Sequence, residues 1–255
     1  MARIQSIMLG SLAMAALLLS GTHAAMPTGR FEVVQPDSQA SAMMMALIDQ
    51  NNVMMIDKTE NNRARLNDGR PVWGVVMSLE DYSVRATDMV SNAFCASGAQ
   101  MGNGTWMVAG GNQAVQYGGK ALQTGQDPTT GPYQDFGGGN VIRLLEPKSD
   151  AAQLSWIDNS TFMTSNRWYP GIEVMKDGSV FLIGGANGGG YINRNLPNVD
   201  PYYEAAPGVG SIQNLAQSGA NPTWEFFPPL PGFQLQQSRF MGLTSGALVP
   251  AAGSR

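Results

Sequence analysis

Apolar residues in this 255-residue chain come in short runs separated by Gly, Asn, Asp and Pro, a pattern that predicts many brief strands and little helix. One stretch recurs. Cys95-Ala-Ser-Gly-Ala-Gln-Met-Gly-Asn-Gly-Thr-Trp-Met-Val-Ala-Gly-Gly111 lies on Tyr169-Pro-Gly-Ile-Glu-Val-Met-Lys-Asp-Gly-Ser-Val-Phe-Leu-Ile-Gly-Gly185 without a gap, 74 residues on (95 to 169). Each copy reads as a strand, a turn at Asn103-Gly104 or Asp177-Gly178, and a second apolar strand ending in paired glycines. A weaker third copy precedes them. Its first strand is predicted over Met43 to Ile48, its turn at Asn51-Asn52 and its second strand over Val53 to Ile56. This places Met43 opposite Cys95 and Tyr169, and Asp57-Lys58 where the others have Gly-Gly.

Repeated antiparallel units ending in Gly-Gly predict an all-β chain of kelch-type β-propeller blades, each sheet packing on the next around a central channel. Other β sandwiches are the alternative. The glycines suit blades whose backbones approach closely and turn sharply. Gly184 to Gly190 lacks the spacing of a dinucleotide fingerprint, and no phosphate-loop Gly-Lys-Ser/Thr triplet follows a suitably spaced glycine. Gly118 to Gly139 reads as an excursion loop. A strand is expected again at Asn140 to Leu145 and an edge at Ser155 to Ile157. Past Trp224-Glu-Phe-Phe-Pro-Pro229 the pattern changes, and residues 230–255 are expected to form a poorly ordered tail.

At the N-terminus Arg3 precedes an apolar run from Ile7 to Leu19, then small residues with a cleavage point near Ala24 or Ala25. This is the pattern of a signal peptide over residues 1–24, whose 13-residue apolar run is too short for the roughly 20 residues that span a bilayer. The mature protein is expected to be secreted and extracellular, with no membrane partner. Sequons at Asn103 and Asn159 fit that route as glycosylation sites. With 15 basic against 19 acidic residues and no basic patch, nucleic acid is not an expected partner. The single cysteine, Cys95, has no internal disulfide partner, and the single histidine, His23, lies in the segment expected to be removed.

Equivalent positions in adjacent blades face the same axis, so the repeat brings Cys95 and Tyr169 together. A thiol against the ortho carbon of a phenol can be cross-linked oxidatively by bound copper, and the resulting thioether makes the ring easier to oxidise to a radical. That chemistry would account for the unpaired cysteine. Without it, Cys95 reads as a small buried hydrophobe and Tyr169 as a core tyrosine. Trp106 and Trp168 read as packing residues. So does Met43 to Met45, because consecutive strand side chains alternate across a sheet and cannot converge on one metal.

From about Phe31 to Pro229 the chain resembles the N-terminal domain of fungal glyoxal oxidases, relatives of galactose oxidase in the copper radical oxidase group. The similar segments include Asp57-Lys-Thr-Glu-Asn-Asn62, Phe94-Cys95, Gly102-Asn-Gly-Thr-Trp106 and Gly110-Gly-Asn-Gln-Ala-Val115. Further on they include Arg143-Leu-Leu145, Arg167-Trp-Tyr-Pro170, Gly184 to Tyr191 and Asn221 to Pro229. The resemblance implies a seven-bladed propeller, of which residues 31–229 would supply an incomplete set of blades, followed by a C-terminal sandwich domain. It also implies a copper site with a Tyr-Cys radical cofactor, in which Tyr169 is the equatorial ligand and Cys95 its thioether partner. In complete relatives small aldehydes are oxidised to carboxylic acids while dioxygen becomes hydrogen peroxide.

The family's axial tyrosine and two ligand histidines would lie in blades after Pro229, where the resemblance stops, and they have no counterpart here. Copper favours imidazole nitrogen, and one phenolate should hold it weakly even if Tyr191 approached. The chain is therefore expected to be inactive alone. The alternatives are a secreted kelch-like binding protein and an inactive truncated gene product.

Overall fold

The computed structural model of the chain describes residues 29–118, 120–122, 125–148, 150–187 and 221–238. The expected signal peptide, His23, Tyr191 and most of the tail lie outside them. The chain divides at Val34 into a first unit, of which the described residues 29–34 carry neither helix nor strand, and a second that begins at Gln35. Among the described residues no helix is long and apolar enough to cross a membrane.

Among the described residues the second unit holds three four-stranded antiparallel sheets, a partial β-propeller. Blade 1 comprises β1 (Met44–Leu47), β2 (Asn52–Ile56), β3 (Gly74–Ser78) and β4 (Val84–Ala86). Blade 2 comprises β5 (Ser97–Gln100), β6 (Trp106–Ala109), β7 (Val141–Leu145) and β8 (Trp156–Phe162). Blade 3 comprises β9 (Gly171–Val174), β10 (Val180–Ile183), β11 (Thr223–Phe227) and β12 (Gln236–Gln237). In each sheet successive strands are neighbours, with short turns joining the first two strands and longer connections leading to the third. The only helices among the described residues are two single 3-10 turns, Pro128–Thr130 and Ala151–Gln153.

The pairing corrects the first repeat by one residue. Met44↔Ile56, Ser97↔Ala109 and Gly171↔Ile183 are equivalent pairs, so blade 1 precedes blade 2 by 53 residues (44 to 97). Ala42, not Met43, is therefore the counterpart of Cys95 and Tyr169. The slip matters because moving a strand by one residue exchanges its two faces. Nor does Met43 to Met45 pack as a unit: Met44 covers the core, while Met43 is 37% and Met45 64% exposed. The edge expected at Ser155 to Ile157 is instead the seven-residue β8, bulged opposite Ile142 and Leu144. The blade also continues past Pro229, because Gln236–Gln237 pair with Thr223 and Trp224.

Strand alternation builds the cores between blades. Met54 and Ile56 of β2, with Trp73, Val76 and Met89, meet Val108, Leu145, Leu154 and Trp156 of blade 2. Met107 and Ala109, on the opposite face of β6, join Ile142 and Met163 against Val180 and Leu182 of blade 3. Each large apolar side chain so buried contributes about 1.5–3 kcal/mol. Trp106 borders the first of these cores, as its packing role required.

The excursion after β6 is anchored by a buried carboxylate. Asp135 accepts from Asn92 Nδ2 (2.7 Å), the Val115 amide (3.3 Å) and Thr59 Oγ1 (3.4 Å). Burial nevertheless pushes its pKa up to about 6, against the opposing pull of those donors. The folded protein thus binds this proton more tightly than the unfolded chain. The associated stability is complete below about pH 4 and is lost as pH rises through about 6. Asp135→Asn should remove this contribution, flattening the fall in unfolding free energy between those values by roughly 2–3 kcal/mol. Urea unfolding of both proteins across that range measures it, and parallel pH profiles would refute the assignment.

Candidate functional site

Cys95 and Tyr169 each lie two residues ahead of the first strand of a blade, β5 and β9. The Tyr169 amide donates to the Cys95 carbonyl at 3.0 Å, joining the two blades through their backbones. The Cys95 amide in turn donates to Met43 Sδ at 3.4 Å. Both residues have positive φ, 60° at Cys95 and 58° at Tyr169. Non-glycine residues occupy this left-handed region at some energetic cost, and such positions cluster at functional sites. Glycine would relieve that cost, yet both positions carry reactive side chains.

The neighbouring Cys95 side chain is the largest factor pushing the Tyr169 phenol up to about 12, with burial adding to it. Burial pushes the Cys95 thiol up as well, opposed by Tyr169 and by the Trp168 indole. Both groups keep their protons at neutral pH. Cys95 is buried and Tyr169 half-buried, with the Trp168 ring centroid 4.5 Å from that of Tyr169. The Trp168 Nε1–H is buried beside the thiol but makes no hydrogen bond of acceptable geometry. Trp168 thus belongs to the pair's surroundings, a placement that preference for packing alone would miss.

Two buried arginines hold the blade ends that carry this pair. Arg167, fully buried, donates to Glu225 Oε1 from Nε (3.1 Å) and Nη2 (2.8 Å), and from Nη1 to the Gly184 (2.9 Å) and Thr223 (2.8 Å) carbonyls. Its own carbonyl accepts from the Gly111 amide at 3.1 Å. A Cβ at Gly110, where φ is +79°, would stand 2.1 Å from that carbonyl oxygen, so the first glycine of the pair admits the neighbouring chain. Arg143 plays the matching part in blade 2, donating from Nη1 to the Gly110 carbonyl and from Nε to Ser91 Oγ, both at 2.7 Å. Ser91 Oγ also makes a short hydrogen bond to Asp158, which sits in the β8 bulge. Burial pulls the Arg143 guanidinium down to about 10, which leaves it charged at neutral pH.

A copper ion would find one phenol here. Among the described residues no group of three or more His, Cys, Asp or Glu side chains could hold a metal. The donors present therefore do not fit a complete copper centre. An open groove of about 720 Å³ lies elsewhere, between Met101–Asn103, Val174–Ser179 and Pro228–Leu230, at the far ends of β5 and β9 from the pair. Asn103 is exposed at its rim, with its Oδ1 accepting from the Thr105 amide at 3.0 Å. Asn159, the other sequon, is half-buried in β8 with φ 54°.

No family model matches the chain, and no similar curated protein is found. Among solved structures it is similar to a protein described as a novel fungal alcohol oxidase with catalytic diversity among the AA5 family, in complex with copper. The similarity has a TM-score of 0.41 at 14% identity and covers 60% of this chain. It takes in 27% of that protein, so the chain spans little more than a quarter of its length.

Proposed function

We propose that this chain is the radical-cofactor portion of a secreted copper radical oxidase of the glyoxal oxidase type, and that it does not oxidise aldehydes alone. The observation that carries this reading is the 3.0 Å bond from the Tyr169 amide to the Cys95 carbonyl, which sets the two residues side by side at equivalent positions of adjacent repeats. The proposed cross-link joins the sulfur to the ring carbon next to the hydroxyl-bearing one. Forming a C–S bond there removes the thiol hydrogen and one ring hydrogen, a two-electron oxidation; dioxygen accepts both hydrogens and becomes hydrogen peroxide. The Trp168 ring packs beside the phenol, its centroid 4.5 Å away. The axial tyrosine and imidazole ligands implied by the family resemblance belong to blades beyond those described.

The test is peptide mapping of protein secreted into copper-supplemented medium in air. The expected result is one species joining the Cys95 and Tyr169 peptides, lighter by two hydrogens than their sum, and absent from Cys95→Ser and Tyr169→Phe. Separate peptides with a freely alkylated Cys95, both alone and after mixing with the C-terminal part of a longer copper radical oxidase, would overturn the proposal.

A further inference from the structure

We propose that Asn103 carries an N-linked glycan whose first sugars lie in the groove between blades 2 and 3, at the opposite end of β5 and β9 from Cys95 and Tyr169. This rests on the secreted character of the chain and not on its radical chemistry. The repeat isolates what is special about Asn103. Its counterpart 74 residues on is Asp177, and the two make the same turn: Asn103 Oδ1 accepts from the Thr105 amide and Asp177 Oδ1 from the Ser179 amide, each at 3.0 Å. That turn needs one side-chain oxygen and no side-chain nitrogen. Asn103 is exposed, and its Nδ2 makes no hydrogen bond among the described residues. This spare nitrogen is the one that an Asn-Gly-Thr sequon offers to a glycan.

The groove has the mixed chemistry that a sugar needs. Asn103 and Asp177 give it a polar rim, and Val174, Met175, Pro228 and Leu230 an apolar wall. N-acetylglucosamine, the first sugar of such a glycan, matches both, with hydroxyl and amide groups at its edge and an apolar ring face and acetyl methyl. Val174 and Met175 are 41% and 42% exposed, and Val174 stands where blade 2 carries Gln100, so blade 3 turns an apolar side chain to the solvent where its twin uses a polar one. Apolar side chains gathered in one concavity mark a binding surface. The turns that bound the groove meet through Gly102 and Gly178; a Cβ at Gly102 would stand 3.3 Å from the Gly178 Cα, and at this point neither turn has a side chain. The volume of about 720 Å³ lies within the roughly 300–1,000 Å³ of small-ligand sites. Because Asn103 is itself on the rim, the sugars are tethered at an effective concentration on the order of millimolar, so that even weak contacts are occupied.

The test uses residues 25–255 secreted by a eukaryotic host behind that host's own signal, so it does not depend on residues 1–24; secretion of the full chain by its own leader is scored separately. Peptide N-glycosidase, which leaves Asp where a glycan stood, should convert Asn103. Asn103→Asp removes the glycan and keeps the turn, as Asp177 shows, and whatever Asn159 carries is common to both proteins. Under dilute hydrogen peroxide, Met175 should become sulfoxide about threefold or more slowly in the glycosylated protein than in Asn103→Asp. Met45, exposed in blade 1 and outside the groove, should react equally in both. Trimming the glycan to its first sugar should keep most of the protection. An unmodified Asn103 in the secreted protein would overturn the proposal, as would equal Met175 rates in the two proteins. So would protection lost on trimming, which would mean that outer sugars screen the surface without the first ones entering the groove.

Discussion

Purified and loaded with copper, the chain is expected to produce no aldehyde-dependent hydrogen peroxide at an enzymatic rate, falling short of a complete copper radical oxidase by about three orders of magnitude or more. The reason is local. Tyr169 holds its phenolic proton up to about 12, and no group of metal-binding side chains stands beside it among the described residues. A metal held by one phenolate is weakly bound and unoriented, and positioning and electrostatic preorganisation supply most of such an enzyme's rate. Adding a C-terminal fragment that brings imidazole ligands should raise the rate, and Tyr169→Phe should abolish the gain. Sustained peroxide formation by the pure chain, lost on Tyr169→Phe, would show a metal site built in some other way.

The largest stability change is expected from Arg167→Ala, a loss of about 3–5 kcal/mol. Domains of this kind are stable by about 5–15 kcal/mol, so the variant should be largely unfolded at moderate denaturant. The substitution strands Glu225, whose Oε1 faces the missing guanidinium while Oε2 accepts from the Thr164 amide (2.9 Å) and hydroxyl (2.6 Å). It also leaves the Gly184 and Thr223 carbonyls short of a donor inside the blade. Replacing both partners, as Arg167→Met with Glu225→Gln, should cost less than Arg167→Ala alone, because no uncompensated charge remains buried. Urea unfolding of the single and double variants decides it. A loss below about 1 kcal/mol for Arg167→Ala would mean that water reaches the site and replaces the ion pair.

The second and third blades were legible because their turns are Asn-Gly and Asp-Gly, which fix hairpin register to the residue. The first was not. Its turn, Asn51-Asn52, lacks glycine, and the apolar run Met43 to Ile48 has no polar residue to mark which side faces out, so sequence alone left room for a one-residue slip. At the candidate site the repeat brought Cys95 and Tyr169 together, since both open a blade. Its support was hidden. Arg167 and Glu225 are 58 residues apart, and Asp158 reaches Ser91 only through a bulge that no local pattern announces. Asp135 looked like one more polar residue of a Gly-rich excursion, and only the packing of Asn92 and Val115 against it reveals a buried carboxylate.

Two of the contacts joining blades 2 and 3 nearest the pair are made by main-chain atoms alone, Tyr169 N–H to Cys95 C=O and Gly111 N–H to Arg167 C=O. Every residue except proline can make such bonds, so inheritance can rewrite the side chains at 95 and 169 without unstitching the blades. A lineage released from radical chemistry would shed the thiol and the phenol early and retain the scaffold for other uses. Among descendants, these two positions would diverge sooner than the glycine pairs and buried arginines around them.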